Sequence, residues 1–250
     1  MNLESSHIET LLPQVREEYL RRMTGGDSSL LRQVEAYTAG RTGKMLRPRM
    51  LLAAVSSRCA GVSPAQCKLN DHPTGSQPLA PNSQLPRRTL LLAVAVEMLH
   101  NASLLHDDVI DRDITRRGQP SVNARWNNAV AVLVGDYHLV SIMQLLDEIG
   151  ERQVSQRFND TVKSMVEAEL LQQELDTEHL TLDSYLRIID GKTANLFALA
   201  AELGNPALRD YGLHYGRLFQ LRDDLADGEA TPFTEELIRQ EEKILQEINK

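Results

Sequence analysis

The chain has 250 residues, 42% of them hydrophobic and 25% charged, with a formal net charge of −8. That composition can bury a real core and suits one large helical domain. The acidic balance argues against nucleic acid as a partner, while leaving room for polyanions held by local Lys and Arg or by divalent metals.

Hydrophobic periodicity is helical almost throughout, and strand alternation is nearly absent. The opening stretch is amphipathic and mixed in charge, without the apolar centre of a signal peptide. A first helix is predicted over Ser6 to Met23, stopped by Gly25-Gly26, and a second from Ser28 or Ser29, each a possible N-cap, to about Gly40. After Gly43-Lys44-Met45-Leu46-Arg47-Pro48, the run from Arg49 to Val55 reads as a helix with Pro48 near its start. Residues 59–86, with Pro64, Pro73, Pro78, Pro81 and Pro86, read as a long surface loop. Cys59 and Cys67 make no disulfide framework. With His72 nearby they still lack a fourth ligand and knuckle spacing for zinc, so they read as reduced thiols.

A strong helical signal runs from Arg88 to about Asp111. Further helices are predicted over Asn127–Ile149, Gln153–Leu175, Leu182–Leu203 and Ala207–Leu225, and the tail from Glu235 to Lys250 reads as a short charged helix. No stretch approaches the roughly 18 apolar residues that span a bilayer, so a cytoplasmic protein without a transmembrane segment is expected.

One pattern occurs twice, as Asp107-Asp108-Val109-Ile110-Asp111 and as Asp223-Asp224-Leu225-Ala226-Asp227. On a helix the three carboxylates of each copy share one face, where they repel one another unless cations neutralise them. Oxygen-only ligands suit Mg²⁺, which keeps water and completes its shell with substrate phosphates. The plainer reading is two solvated acidic helix ends. Against it stand Leu104, Leu105, Val109 and Ile110 around the first copy and Leu218, Phe219, Leu221 and Leu225 around the second, the surroundings of helices in a bundle core.

The cations follow a matching pattern. Lys44 and Arg47 stand at a helix entrance, where backbone N–H groups favour anions. Arg116-Arg117 follow closely on the first aspartates, and Lys192-Thr193 interrupt an apolar helix. Surface salt bridges account for each singly, whereas a bound diphosphate accounts for all of them together. A lone His on an apolar helix is usually a satisfied core residue, and residue chemistry alone leaves His100 there.

The stretch from Glu97 to Asp111 resembles the first aspartate-rich motif of the trans-prenyl diphosphate synthases, with Arg116-Arg117-Gly118-Gln119-Pro120 following as in that family. Gly216 to Asp227 is similar to the second motif, Gly43 to Pro48 to the early basic motif, and Gly191-Lys192-Thr193 to the central Lys-Thr pair. The resemblance implies the isoprenoid synthase fold, an all-α, single-domain bundle of mostly antiparallel helices around a central cavity. It implies a homodimer that joins isopentenyl diphosphate to an allylic prenyl diphosphate with three Mg²⁺ ions. Lys44, Arg47, His100 and Arg117 would hold isopentenyl diphosphate. Arg116, Lys192, Thr193 and Gln220 would hold the allylic diphosphate, with Gln172 lining the cavity. Asp107, Asp111 and Asp223 would ligate metal, and Asp108, Asp224 and Asp227 would complete or orient the shell.

No nucleophilic triad is expected for such chemistry. Product length should be read one helical turn, about 5.4 Å, below the first aspartates. Ala102 and Ser103 there are too small to form a floor, and Met98 and Leu99 lie on the next turn, so a product longer than farnesyl is expected. Rival readings are a regulatory subunit of a heteromeric synthase, a terpene cyclase and a plain helical scaffold. The six aspartates oppose the first, Lys44, Arg47 and Arg117 the second, and both clusters the third. After Asp227 the family usually continues with a lysine-bearing loop, and no lysine occurs here between Lys192 and Lys243.

Overall fold

The computed structural model describes residues 1–39, 43–57, 83–175 and 180–248. Cys59, Cys67, His72 and nearly all of the predicted Pro-rich loop lie outside them. Among the described residues the chain is almost entirely helical: α1 Ser6–Thr24, α2 Ser29–Ala39, α3 Leu46–Ser57, α4 Arg87–Ile110, α5 Val122–Arg125, α6 Asn128–Ile149, α7 Arg152–Glu174, α8 Leu182–Ile189, α9 Asn195–Gly204, α10 Arg209–Asp227 and α11 Thr234–Ile248. They pack into two compact units. A hairpin unit comprises Glu4–Arg49 and Leu79–Glu151, and a carboxy-terminal unit comprises Met1–Leu3, Met50–Pro78 and Arg152–Lys250.

In the hairpin unit, α1 is capped by the Ser5 hydroxyl, which accepts from the Ile8 N–H, and buries Ile8, Leu11, Val15 and Met23 at helical spacing. Ser28 is the cap of α2, its hydroxyl accepting from the Leu31 N–H at 3.1 Å. Helices α4 and α6 run antiparallel. Arg87 and Arg88 at the start of α4 pair with Glu148 near the end of α6 and Glu151 just beyond it, while His106 near the end of α4 lies 3.3 Å from the Val132 carbonyl at the start of α6. Their core joins Leu105 and Val134 with Leu31, Val34, Val122 and Ala131.

Two departures from the sequence expectation occur here. First, Thr115–Arg116 and Gln119–Pro120 form a small antiparallel hairpin, pairing Thr115 with Pro120 and Arg116 with Gln119. Its two turn residues, Arg117 and Gly118, have φ of 54° and 75°, the two-residue geometry that follows strand twist. Strands of two residues are too short to show alternation. Second, α4 and α6 are each long and apolar enough to cross a membrane by length and composition, correcting the expectation that none is. In α4 most of that apolar surface lies in the core, around a buried Glu97.

In the carboxy-terminal unit, α7 runs antiparallel to the segment leading into α9, through Arg157–Glu202 at 3.0 Å, Ser164–Asn195 at 2.8 Å and Glu169–Lys192 at 2.7 Å. The single helix predicted over Leu182–Leu203 is interrupted by a π-helical turn at Asp190–Ala194. A π-turn has the same hydrophobic periodicity on either side, so periodicity alone does not reveal it; such turns are frequent at functional sites. Helix α11 is amphipathic rather than simply charged, with Leu237 and Leu245 buried.

Candidate active site

The first aspartate cluster closes α4. Its middle member, Asp108, is 3% exposed, while Asp107 is half-buried and Asp111 exposed. Asp108 Oδ1 accepts from Arg116 Nε at 2.7 Å and from Arg116 Nη2, and Arg116 also reaches Asp113 at 3.2 Å. A carboxylate so buried needs a paired cation, and Arg116 supplies it. Asn123 Nδ2 then donates to the backbone carbonyls of Asp108 and Asp113 at 2.9 and 3.0 Å, fixing the chain where it leaves the helix. Tyr37 OH donates to the Pro120 carbonyl at 2.8 Å and anchors the hairpin from α2.

The hairpin turn brings Arg117 against the basic motif. The Arg117 guanidinium lies so close to Gly43 that a Cβ there would push this exposed side chain aside. Holding Arg117 at positive φ costs roughly 1–2 kcal/mol, the kind of local strain found at functional sites. Arg47 is buried, and its Nη1 donates to His100 Nε2 at 3.2 Å. Burial, then the positive charges of Arg47, Arg117 and Arg116, push His100 well below the usual imidazole range. His100 is therefore neutral and accepts from Arg47. Lys44 is exposed and lines a cleft with Glu9, Arg16 and Arg49.

Glu97, which residue chemistry in the sequence did not single out, is 6% exposed, with Oε2 lacking a hydrogen-bond partner. Burial raises its pKa against the pull of Arg47, Arg117 and Arg16. Its signal was an acid inside an otherwise apolar run. Glu97, Asn101, Leu104, Asp108 and Arg117 line a pocket within this unit. Of the chain-length candidates, Met98, Leu99 and Ala102 are buried in the core, whereas Ser103 is half-buried and donates to the His100 carbonyl at 2.9 Å.

The carboxy-terminal unit holds the second cluster and the π-turn. Each of the first four residues of that turn is tied to a neighbour. Asp190 accepts from Arg217 Nε and Nη2 at 2.5 and 2.6 Å, and Gly191 passes so close to α7 that a Cβ would meet Ala168. Lys192 pairs with Glu169 at 2.7 Å and donates to Gln172 at 3.0 Å. Thr193 donates to Gln220 Oε1 at 2.6 Å, and Gln220 Nε2 donates to Asp224 Oδ1 at 2.7 Å. The other carboxylate oxygen of Asp224 accepts from Tyr185 OH at 2.6 Å. Burial and then Asp224 push the Tyr185 phenol up to about 12, so it stays a donor. Asp223 and Asp227 are exposed. Tyr185 and Glu169 were missed because an aromatic and an acid at helical spacing look like ordinary core and surface.

Among the described residues no three His, Cys, Asp or Glu side chains converge into a closed metal cage. Each unit supplies its own carboxylate oxygens, from Asp107 and Asp111 in the hairpin unit and from Asp223 and Asp227 in the carboxy-terminal unit. Carboxylate oxygen is the donor that suits a hard divalent ion, which keeps waters and takes phosphate oxygens as further ligands.

The chain also resembles known proteins. A family profile described as polyprenyl synthetase matches residues 28–236. The chain is 32% identical over 212 residues to octaprenyl diphosphate synthase of Escherichia coli strain K12, covering 80% of this chain and 58% of the relative. A decaprenyl diphosphate synthase from Rhodobacter capsulatus, known from its crystal structure, is 31% identical with a TM-score of 0.73, covering 89% of this chain and 67% of that one. A polyprenyl synthase from Caulobacter crescentus CB15, solved with calcium and isoprenyl diphosphate, is 31% identical with a TM-score of 0.70, covering 85% of this chain and 61% of that one. The chain thus spans less than two thirds of the octaprenyl relative's length.

Proposed function

We propose that this chain, which belongs to the polyprenyl synthetase family, lengthens an allylic prenyl diphosphate by joining isopentenyl diphosphate to it head to tail. The observation that carries the reading is the repeated aspartate triplet, each copy ending a long helix with its middle carboxylate pinned by protein donors. A solvated acidic helix end needs no such anchoring. Lys44, Arg47, His100 and Arg117 hold the diphosphate of isopentenyl diphosphate. The pairing of Arg47 with neutral His100 supports this, because it aims the guanidinium without adding a second charge. Lys192, Thr193, Gln172 and Gln220 serve the allylic diphosphate. Arg116, bound to Asp108, orients that carboxylate.

Asp107, Asp111, Asp223 and Asp227 would hold magnesium, which supplies positive charge to the departing diphosphate. The allylic C–O bond breaks and the electron pair leaves with the diphosphate. The double bond of isopentenyl diphosphate then forms the new C–C bond, and a proton is lost to the released diphosphate. The side chains contribute orientation and a water-poor setting rather than a nucleophile. A product longer than farnesyl fits the small Ser103 on α4. A homodimer fits the row of exposed apolar side chains on α6, Leu133 at 66%, Val140 at 52% and Met143 at 61%. A cytoplasmic location is proposed with it.

Purified chain incubated with Mg²⁺, farnesyl diphosphate and labelled isopentenyl diphosphate, followed by product chromatography, tests the reading. Elongated prenyl diphosphate is expected. A cyclised hydrocarbon formed without isopentenyl diphosphate would identify a cyclase instead, and absence of turnover would identify a subunit that needs a partner.

A further inference from the structure

Tyr185 lies outside both aspartate motifs, the basic motif and the Lys-Thr pair, yet its hydroxyl sits at a junction of three elements. Its ring is 6% exposed and packs in a core with Ile189, Leu221 and Leu237, flanked by Phe233. From that fixed base the hydroxyl donates to Asp224 Oδ2 at 2.6 Å and lies 3.4 Å from Thr234 Oγ1 at the start of α11. Thr234 is fully buried. Its Oγ1 accepts from the Thr231 N–H at 2.9 Å and lies 3.0 Å from the Thr231 hydroxyl. Asp224 is held on its other side by Gln220, itself held by Thr193. A continuous hydrogen-bonded line therefore runs from the π-turn, through the second aspartate cluster, to the first turn of α11.

The geometry points to Tyr185 as a positioning residue for the second aspartate cluster: with Gln220 it occupies both oxygens of Asp224 and so sets the helix end that carries Asp223 and Asp227. A carboxylate that accepts short hydrogen bonds on both oxygens is fixed in rotamer and turned toward the protein. Asp223 and Asp227 flank it on the same helix and are exposed. Pinning Asp224 fixes the last turn of α10, and with it the directions in which those two side chains leave the helix. Packing alone would be served equally well by phenylalanine, which fills the same core. The hydroxyl is what the core does not require, and Asp224 and Thr234 are what it reaches. Loss of such an outer partner typically weakens metal affinity 10–100-fold.

This inference rests on the proposed function, and the test separates the two. Full-length wild type and Tyr185→Phe are titrated with Mn²⁺ in the presence of inorganic pyrophosphate, reading free Mn²⁺ by electron paramagnetic resonance. The half-saturating Mn²⁺ concentration is expected to rise about tenfold in Tyr185→Phe, with KM for isopentenyl diphosphate at saturating metal unchanged. In an Asp224→Asn background the same substitution is expected to add nothing, because it acts through that carboxylate. Thr234→Val, which removes the hydroxyl behind Tyr185, is expected to shift half-saturation in the same direction by about threefold. If Tyr185→Phe loses helix content by circular dichroism, Thr234→Val carries the test. Unchanged half-saturation in the folded variants, or full additivity with Asp224→Asn, overturns the positioning role while leaving the proposed function standing. A wild type that takes up no Mn²⁺ with pyrophosphate overturns both.

Discussion

The two aspartate triplets share a sequence pattern but are anchored by different physics. In the hairpin unit the middle carboxylate, Asp108, is buried and bound to a cation, Arg116, so its charge is spent on the protein. In the carboxy-terminal unit the middle carboxylate, Asp224, is half-buried and held by two neutral donors, Tyr185 and Gln220, which fix its direction without neutralising it. Identical motifs can thus be set with a charge pair where burial demands compensation and with neutral hydrogen bonds where solvent remains near. The first arrangement is expected to matter most for stability, and the second for metal affinity.

The largest effect should come from the exposed ends of the triplets. Asp223→Ala is expected to lower kcat/KM by roughly 10³-fold, and Asp224→Asn by about 10–100-fold, measured by isopentenyl incorporation. The reverse order would break the division between ligating and oriented carboxylates. Next, Arg116→Leu leaves Asp108 buried without its counter-ion and is expected to cost about 3 kcal/mol, a fall in Tm of roughly 6–12 °C. Tyr185→Phe should cost only about 1 kcal/mol. Equal losses in the two variants, read by thermal denaturation, would erase the contrast.

Charge pairing in the hairpin unit extends to Glu18, whose carboxyl is drawn down to about 2, chiefly by its hydrogen bond from Arg21 and then by Arg22 and Arg87. A depressed carboxylate contributes stability that is fully present above its unfolded pKa, about 4.5, and lost as pH falls from there toward 2. With the exposed Arg21 and Arg87 screened by solvent, the contribution at neutral pH is on the order of 1 kcal/mol, and Glu18→Gln should flatten that acid limb in urea titrations taken between these pH values. Last, only α4 is expected to set product length. Ser103→Phe should shorten the product by one or more isoprene units on thin-layer chromatography, whereas Ala102→Phe overpacks a core position and should instead lower Tm. A shorter product from Ala102→Phe with unchanged Tm would move the ruler back to the buried face.

Much of the site is legible in the amino-acid sequence. The triplets, Lys44, Arg47, Arg117 and the Lys192-Thr193 pair stand out because their charges interrupt apolar helical patterns. The π-turn is not legible there, since Leu182 to Leu203 keeps a helical pattern through it and the turn exists because Arg217, Gln220, Glu169 and the close approach to Ala168 hold it open. The hairpin escapes notice because strands of two residues leave no alternation, and its signal lies only in Arg117-Gly118. The apolar length of α4 and α6 escapes notice because isolated polar residues interrupt helices that are apolar when averaged over their whole length, as the core helices of a bundle are.

Taken alone, the amino-acid order determined the helical class and the positions of nearly every long helix, and it supplied the aspartates and cations that the proposed diphosphate and metal chemistry would use. Those follow from periodicity and from charges near in sequence, both local properties. Which oxygen of which aspartate is already taken, that Glu97 lies buried among three arginines, and that Tyr185 reaches both Asp224 and Thr234 were decided by tertiary packing. Burial and hydrogen bonding are settled by neighbours dozens of residues away, and no local pattern encodes who those neighbours are.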